Sequence, residues 1–249
     1  MPLGRLYRMD WDQQHEPRFN RLVELVESRG TDLHVLEVGA EPYHITNRLL
    51  ASDHVSHVTV INLGDQSESE TVRLENGTVD EYRCNVETDP WPIRSSPDVI
   101  VMGAILEHLF HPAFALRQAR LKVAHGGRLV LSTPNGLSLK TRVETALGLD
   151  TPTDGVALRN GDPQRYDRHQ HEYSRPELHD LLLSVGWDNP QIEPLNLSRE
   201  GIVGECYERL ARGPLADQWV VDAHAGRMRN YRAGIYRDSV RDRYRPSSA

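Results

Sequence analysis

Short runs of β-branched and apolar residues alternate along this chain with segments whose apolar positions recur every three or four residues. A side-chain period of 2 marks strands and one of 3.6 marks helices, so the alternation predicts repeated βα units and a mainly parallel, twisted sheet flanked by helices. The opening helix is expected over residues 16–28, where Phe19, Leu22, Val23, Leu25 and Val26 form one apolar face and Gly30 ends the run. A first strand (34–38, HVLEV) follows at once, then a helix over 42–50 and a second strand over 57–61 (HVTVI). Residues 70–74 and 79–84, joined by the turn residues Asn76 and Gly77, read as a hairpin whose later arm is the third strand, a departure from a simple βαβ repeat. DVIVM (98–102) reads as a buried fourth strand, 112–124 as a helix, and RLVLS (128–132) as a fifth strand entered through Gly126 and Gly127. The nucleotide-type core is thus expected over 33–135.

Residues 148–171 are rich in Gly, Pro, Asp and Arg and longer than an ordinary connection, which suits a lid. Ser174 and Glu177 form a capping box for a helix through Val185, Gly186 ends it, and an edge strand is expected over 191–195. These elements place one domain over residues 1–200 and a C-terminal extension, helical with a basic tail, over 201–249. Within the tail, Met228, Tyr231 and Ile235 make an apolar stripe flanked by arginines.

A chain of 249 residues suffices for one α/β domain with a decoration. Its longest apolar stretch, 99–106, is far shorter than the roughly 20 residues a membrane helix needs, and no basic-then-apolar leader opens the chain, so neither export nor anchoring is expected. Cys84 and Cys206 stand far apart without CxxC spacing, which fits a reducing cytoplasm better than a disulfide framework or a thiolate zinc site. The formal net charge is −7, with the acidic surplus in residues 1–222 and seven arginines against Asp238 and Asp242 in 223–249. An acidic whole argues against nucleic-acid binding. The tail stripe reads instead as a helix packed on the domain or on a second subunit of a homodimer.

Open α/β sheets bind ligands at the carboxyl ends of their strands, near the point where strand order reverses. After the first strand the residues are Glu37, Val38, Gly39, Ala40, Glu41, Pro42 and Tyr43. A dinucleotide site wants GxGxxG there, because pyrophosphate needs bare backbone amides at a helix amino terminus. This loop has one glycine, while Pro42 removes a donor, Tyr43 adds bulk and Glu41 adds negative charge. A ligand without phosphates is favoured. The carboxylates of Glu37 and Glu41 further suit a cationic one, such as the sulfonium and ammonium groups of S-adenosylmethionine (SAM).

VLEVGAEPYHIT (35–46) resembles the first motif of class I SAM-dependent methyltransferases, of the type 11/23-like kind, in the variant where GAxPYxxT replaces GxGxG. CNVETDPWP (84–92), DVIVMGAILEHLFHP (98–112), GGRLVLSTPN (126–135) and HEYSRPEL (171–178) resemble later blocks of that family, in order. The resemblance implies a Rossmann-like fold with SAM as cofactor. It sets Glu37 and Gly39 beside the methionine portion, Ala40 where the chain turns, and Tyr43 next to them, although Pro42 and Tyr43 also suit a plain helix start. Asn62 stands where the family commonly has an acid on the ribose hydroxyls. Asn85, Val86 and Glu87 match the adenine block, with Asn85 as a turn cap the alternative.

Gly103 opens the block resembling ExLEH, in which Ala104 replaces the first glutamate. His108 is there a candidate general base for an acceptor hydroxyl, with Glu107 beside it; the alternative is that the two orient a loop. His171 of the HEY block is a third catalytic candidate, and His111, His169 and Glu172 are further polar ones. No metal is expected, since Glu107 and His108 alone are too few ligands. The GAxPY variant resembles methyltransferases found with glycan and surface-polysaccharide assembly. The implied function is therefore methyl transfer, to an oxygen of a small-molecule or glycan acceptor. A methyltransferase fold that has lost catalysis and serves as a binding or regulatory protein is the alternative, motivated by Tyr43, Asn62 and Ala104.

Overall fold

Runs such as Val99–Gly103 and Arg128–Pro134 are apolar at successive positions because both faces of their sheet are covered by helices. A computed structural model describes residues 11–65, 69–148, 169–199 and 201–226. The chain runs α1 (Trp11–Glu27), β1 (Leu33–Val38), α2 (His44–Leu50), β2 (Val55–Asn62), β3 (Glu70–Leu74), β4 (Gly77–Arg83), β5 (Val99–Gly103), α3 (Pro112–Lys122), β6 (Arg128–Pro134), α4 (Leu139–Ala146), α5 (Arg175–Ser184), β7 (Asp188–Leu195), α6 (Gly201–Leu210) and β8 (Gln218–His224). One eight-stranded sheet has the order β3-β4-β2-β1-β5-β6-β8-β7. The pairs β4·β2, β2·β1, β1·β5 and β5·β6 are parallel, whereas β3·β4, β6·β8 and β8·β7 are antiparallel.

Alternate residues of the strands go to opposite faces. Leu36, Val38, Ile100, Met102, Leu129 and Leu131 pack with Leu116 of α3 and with Leu178 and Leu182 of α5. Val35, Val58, Val60, Val99, Val101 and Val130 pack with Phe19 and Leu22 of α1 and with Ile45 and Leu49 of α2. Each such side chain contributes roughly 1.5–3 kcal/mol by leaving water. The sheet is therefore the middle layer of three, and its strand ends, where side chains are not covered, are left to form a site.

The expected α/β architecture is present, with three differences of detail. Helix α1 begins at Trp11, so Pro17 lies inside it. Helix α2 begins at His44 and not at 42: Tyr43 takes a left-handed conformation (φ 68°) as its cap, after a cis Glu41–Pro42 peptide. Beyond residue 200 the chain is helical as expected only through α6; it then returns to the sheet as β8, an inner strand between β6 and the edge strand β7. Most of the expected lid (149–168) and the apolar stripe of the tail lie outside the described residues. Among the described residues no helix is long and apolar enough to cross a membrane.

Candidate active site

Strand order reverses beside β1, which has β2 on one side and β5 on the other. A crevice opens at the carboxyl ends of strands at such a point. β1 hands the chain to Gly39, at φ 73° and with the Cδ1 of Ile105 only 2.5 Å from where a Cβ would stand, so a side chain there would be strained by the backbone conformation and would push the Ile105 tip aside. The turn is then tied to β2. The Gly39 amide donates to the Ile61 carbonyl (2.8 Å) and the Ala40 amide to Asn62 Oδ1 (2.8 Å). Asn62 Nδ2 donates to the Tyr43 hydroxyl (3.3 Å), which donates to Glu81 Oε2 (2.5 Å). Arg83 joins Glu81 (2.6 Å) to Glu41 (2.8 Å) and reaches the Leu63 carbonyl (3.2 Å). A polar chain thus runs from the loop after β1 across the ends of β2 and β4.

Against this loop lies a cleft of about 440 Å³, a size that suits a cofactor. Ile61, Leu63, Val86, Ile105 and Leu109 supply its apolar walls, and Glu41, Asn62, Asn85, Glu87 and His108 its polar ones; among the described residues no Lys or Arg lines it. Among the described residues, anionic phosphate would meet two carboxylates here and neither lysine nor arginine. A cation with an apolar heterocycle and hydroxyl groups finds complementary chemistry, and SAM has these features. Glu41 is already paired with Arg83, so Glu87 is the carboxylate of the wall not committed to that pair. A second, more open groove of about 500 Å³, lined by Pro17, Leu197, Glu205 and Arg209 among others, shares no residue with this cleft.

Of the residues singled out in the sequence, Gly39, Glu41, Asn62, Asn85, Val86, Glu87, Ala104 and His108 line the cleft together. Glu37, Ala40, Tyr43, Gly103, Glu107 and His171 are not among its lining residues. Glu37 is 2 % exposed and accepts a hydrogen bond from Thr46 Oγ1 of α2 (2.5 Å); burial pushes its carboxyl up to about 8, against the smaller opposing effect of that bond. Ala40 is buried among Ile45, Leu49 and the β-strand valines. Tyr43 serves the polar chain just described, and Gly103 marks a close approach, with Ile45 Cδ1 2.4 Å from its missing Cβ. Asn85 also accepts the Glu87 amide (3.0 Å), so it caps a turn in the wall it belongs to.

Glu107 is 1 % exposed, on a 3-10 turn (Leu106–His108) after β5. It accepts a hydrogen bond from Thr133 (3.1 Å), and burial pushes its carboxyl up to about 7 while the charges of His169 and Arg18 act in the opposite sense. Its backbone carbonyl holds the amides of Gln170 (2.6 Å) and His171 (3.2 Å). That anchor puts His169 against His108, ring centroids 5.0 Å apart and edge to face. The His171 ring is exposed and lies edge-on to Tyr173, 4.6 Å away. Sequence reasoning missed Thr46, Glu81, Arg83 and Cys84. Thr46 lay inside the first motif and Cys84 opens the second block, so both could have been found there; Glu81 and Arg83 are placed by β4, whose pairing with β2 no spacing reveals.

A doubly wound sheet with an acid-lined cleft at its switch point defines the Rossmann-like class of methyltransferase folds. A sequence model of a methyltransferase-domain family matches residues 11–192, and the chain belongs to that family. A "probable S-adenosylmethionine-dependent methyltransferase" of Mycobacterium tuberculosis is 26 % identical over 184 residues, 71 % of this chain and 55 % of the relative; the chain spans about half the length of the curated relatives it matches. Among solved structures, a Thermotoga maritima SAM-dependent methyltransferase described as a possible histamine N-methyltransferase is 15 % identical, covering 87 % of this chain and 93 % of its own, with a TM-score of 0.55. The N-methyltransferase NodS of Bradyrhizobium japonicum, in complex with S-adenosyl-L-homocysteine, is 14 % identical over 88 % of this chain and 90 % of its own, with a TM-score of 0.50. At these identities the solved structures speak for the fold.

Proposed function

We propose that the cleft binds SAM and that the protein transfers its methyl group to an oxygen of a small-molecule or glycan acceptor. The observation that carries this reading is the cleft itself, built at the switch point around Gly39 with acidic and apolar walls and, among the described residues, no lysine or arginine. When bound, SAM supplies a methyl carbon already activated by its sulfonium. The protein's task is then to align donor and acceptor and to exclude water. Val86 and Leu63 offer apolar surface for the adenine, Asn85 and Asn62 polar groups for base and ribose, and Glu37 a buried carboxyl behind the methionine end. His108, in the wall beside Ala104 and Ile105, is the imidazole that takes the acceptor's proton. Both cysteines are free, in keeping with a cytoplasmic enzyme.

The reading of a fold that binds without catalysis draws on Asn62, whose Oδ1 already accepts two loop amides, Ala40 at 2.8 Å and Glu41 at 3.4 Å. Calorimetric titration with SAM, S-adenosylhomocysteine and NAD, followed by turnover with hydroxylated acceptors, separates the two. Micromolar SAM and product binding, none for NAD, and acceptor-dependent turnover are expected. SAM binding without turnover on any acceptor would favour the binding protein, and no SAM binding by folded protein would end the enzyme reading and leave a scaffold.

A further inference from the structure

A ribose offers its two hydroxyls to a protein as hydrogen-bond donors, and a site that grips them needs acceptors, of which a carboxylate is the strongest. In doubly wound sheets the end of the second strand is where the chain comes near such a sugar. Here β2 ends in Asn62, and its side-chain oxygen is already in use. Oδ1 accepts the Ala40 amide (2.8 Å) and the Glu41 amide (3.4 Å), which occupies both lone pairs of an amide oxygen. Nδ2 donates to the Tyr43 hydroxyl (3.3 Å) and keeps one hydrogen. Asn62 can therefore give a hydrogen bond to a ribose oxygen, but it cannot receive one from a hydroxyl.

The acceptor is brought to the same place from another element. Arg83, the last residue of β4, donates through Nη1 to the carbonyl of Leu63, the residue after β2 (3.2 Å). Its Nη2 meets Glu41 Oε1 (2.8 Å) and Glu81 Oε1 (2.6 Å). One planar guanidinium thus spans from the end of β2 to the loop after β1 and fixes the Glu41 carboxylate there. Glu41, Asn62 and Leu63 all line the cleft. Glu81 is spent on both oxygens, Oε1 on Arg83 and Oε2 on Tyr43 (2.5 Å), whereas Glu41 Oε2 is bonded by no described residue. Glu87, the other carboxylate of the wall, accepts the backbone amide of His111 and is held on the β5 side.

We propose that Glu41 is the acceptor for the ribose hydroxyls of SAM, and that Arg83 is a positioning residue that holds it over the end of β2, a strand that brings no acid of its own. The sugar contact then comes from the loop after β1, with Asn62 fixing that loop through its two amides. The proposal rests on the SAM reading of the cleft. The competing account is an ordinary surface ion pair, since the side chains of Glu41 and Arg83 are 55 % and 42 % exposed, and such pairs contribute little. On that account neither residue would alter which ligand is preferred.

The test is calorimetric titration of the full chain with S-adenosylhomocysteine and with its 2′-deoxy and 3′-deoxy ribose forms, with melting temperature as the check on folding. Wild type should bind the deoxy forms about tenfold or more weakly than the parent, because an acceptor left without its hydroxyl is penalised. Glu41→Ala should weaken the parent about tenfold and bring the deoxy forms to within about threefold of it. Glu41→Gln, a weaker acceptor in the same place, should fall between, and so should Arg83→Gln, which keeps the carboxylate but releases it. Glu41→Ala that discriminates among the three ligands as wild type does, or wild type indifferent to both hydroxyls, would overturn the proposal and leave the cofactor reading standing. Folded wild type that binds neither SAM nor S-adenosylhomocysteine would overturn the cofactor reading itself, and this assignment with it.

Discussion

A carboxyl group that is 2 % exposed and faces a threonine hydroxyl instead of a cation holds its proton tightly, as Glu37 does up to about pH 8. In the unfolded chain the same group ionises near 4.5. Between those values the folded state binds more protons, so the stability linked to Glu37 is full below about pH 4.5 and is lost as pH rises to about 8, by up to about 1.4 kcal/mol per unit. Glu37→Gln keeps an acceptor for Thr46 and removes the titration. Its melting temperature should vary less than wild type's between pH 5 and 8 and should exceed it at pH 8; parallel profiles would mean that the carboxyl is already ionised in the fold. Asn62 poses a different question, because its side chain accepts from the Ala40 amide and donates to Tyr43. Asn62→Ala leaves the buried end of that turn unpaired, at a cost of about 1–3 kcal/mol in chemical denaturation, and SAM affinity should fall at least tenfold. Affinity lost without stability would assign Asn62 to the ligand alone.

Among elements, α5 states its own beginning. Ser174 accepts from the Glu177 amide and Glu177 reaches back to Ser174, a complete capping box that the spacing in the sequence announces. Ser174→Ala should cost about 1 kcal/mol, measured by urea unfolding. Hydrogen bonds from the Ser174 backbone and side chain hold the Glu177 carboxyl below its ordinary range, so that part of the contribution is present above pH 4.5 and fades as pH falls. The gap between variant and wild type should therefore narrow in acid. Elements marked by local signals of this kind were legible: β3 lies at 70–74, where the hairpin pattern sets it, and β6 begins at Arg128, behind its two glycines. β8 was not, since WVVDAH is a brief apolar run in polar surroundings whose partners β6 and β7 come from elsewhere in the chain. The site divides likewise. Gly39, Asn62, Asn85, Val86 and His108 sit in consecutive motifs at strand ends, whereas Glu81, Arg83 and the pairing of His169 with Glu107 arise from contacts that only the folded sheet makes.

At the scale of the molecule, the family match ends at residue 192, inside β7, yet the sheet is not complete there. β8 is the neighbour of β7 and also covers the edge of β6, so without it β7 has no partner in the sheet. It does more than fill a gap. Trp219 is 2 % exposed and its indole donates to the Tyr173 carbonyl (3.0 Å), Asn135 Nδ2 donates to the Ala216 carbonyl (2.8 Å), and Asp217 takes both guanidinium nitrogens of Arg199 and the Tyr207 hydroxyl. These contacts hold the stretch that carries His169 and Tyr173 against the end of β6. A chain ending at residue 200 would leave the facing edges of β6 and β7 as two rows of unpaired backbone groups. It should lose near-ultraviolet circular dichroism, melt without a cooperative transition and bind no SAM, while the intact chain melts in one step. If the shortened chain instead melted cooperatively and bound SAM at wild-type affinity, β8 would be an addition to a self-sufficient domain, and the packing of Trp219 on Tyr173 would matter for the acceptor side of the cleft alone.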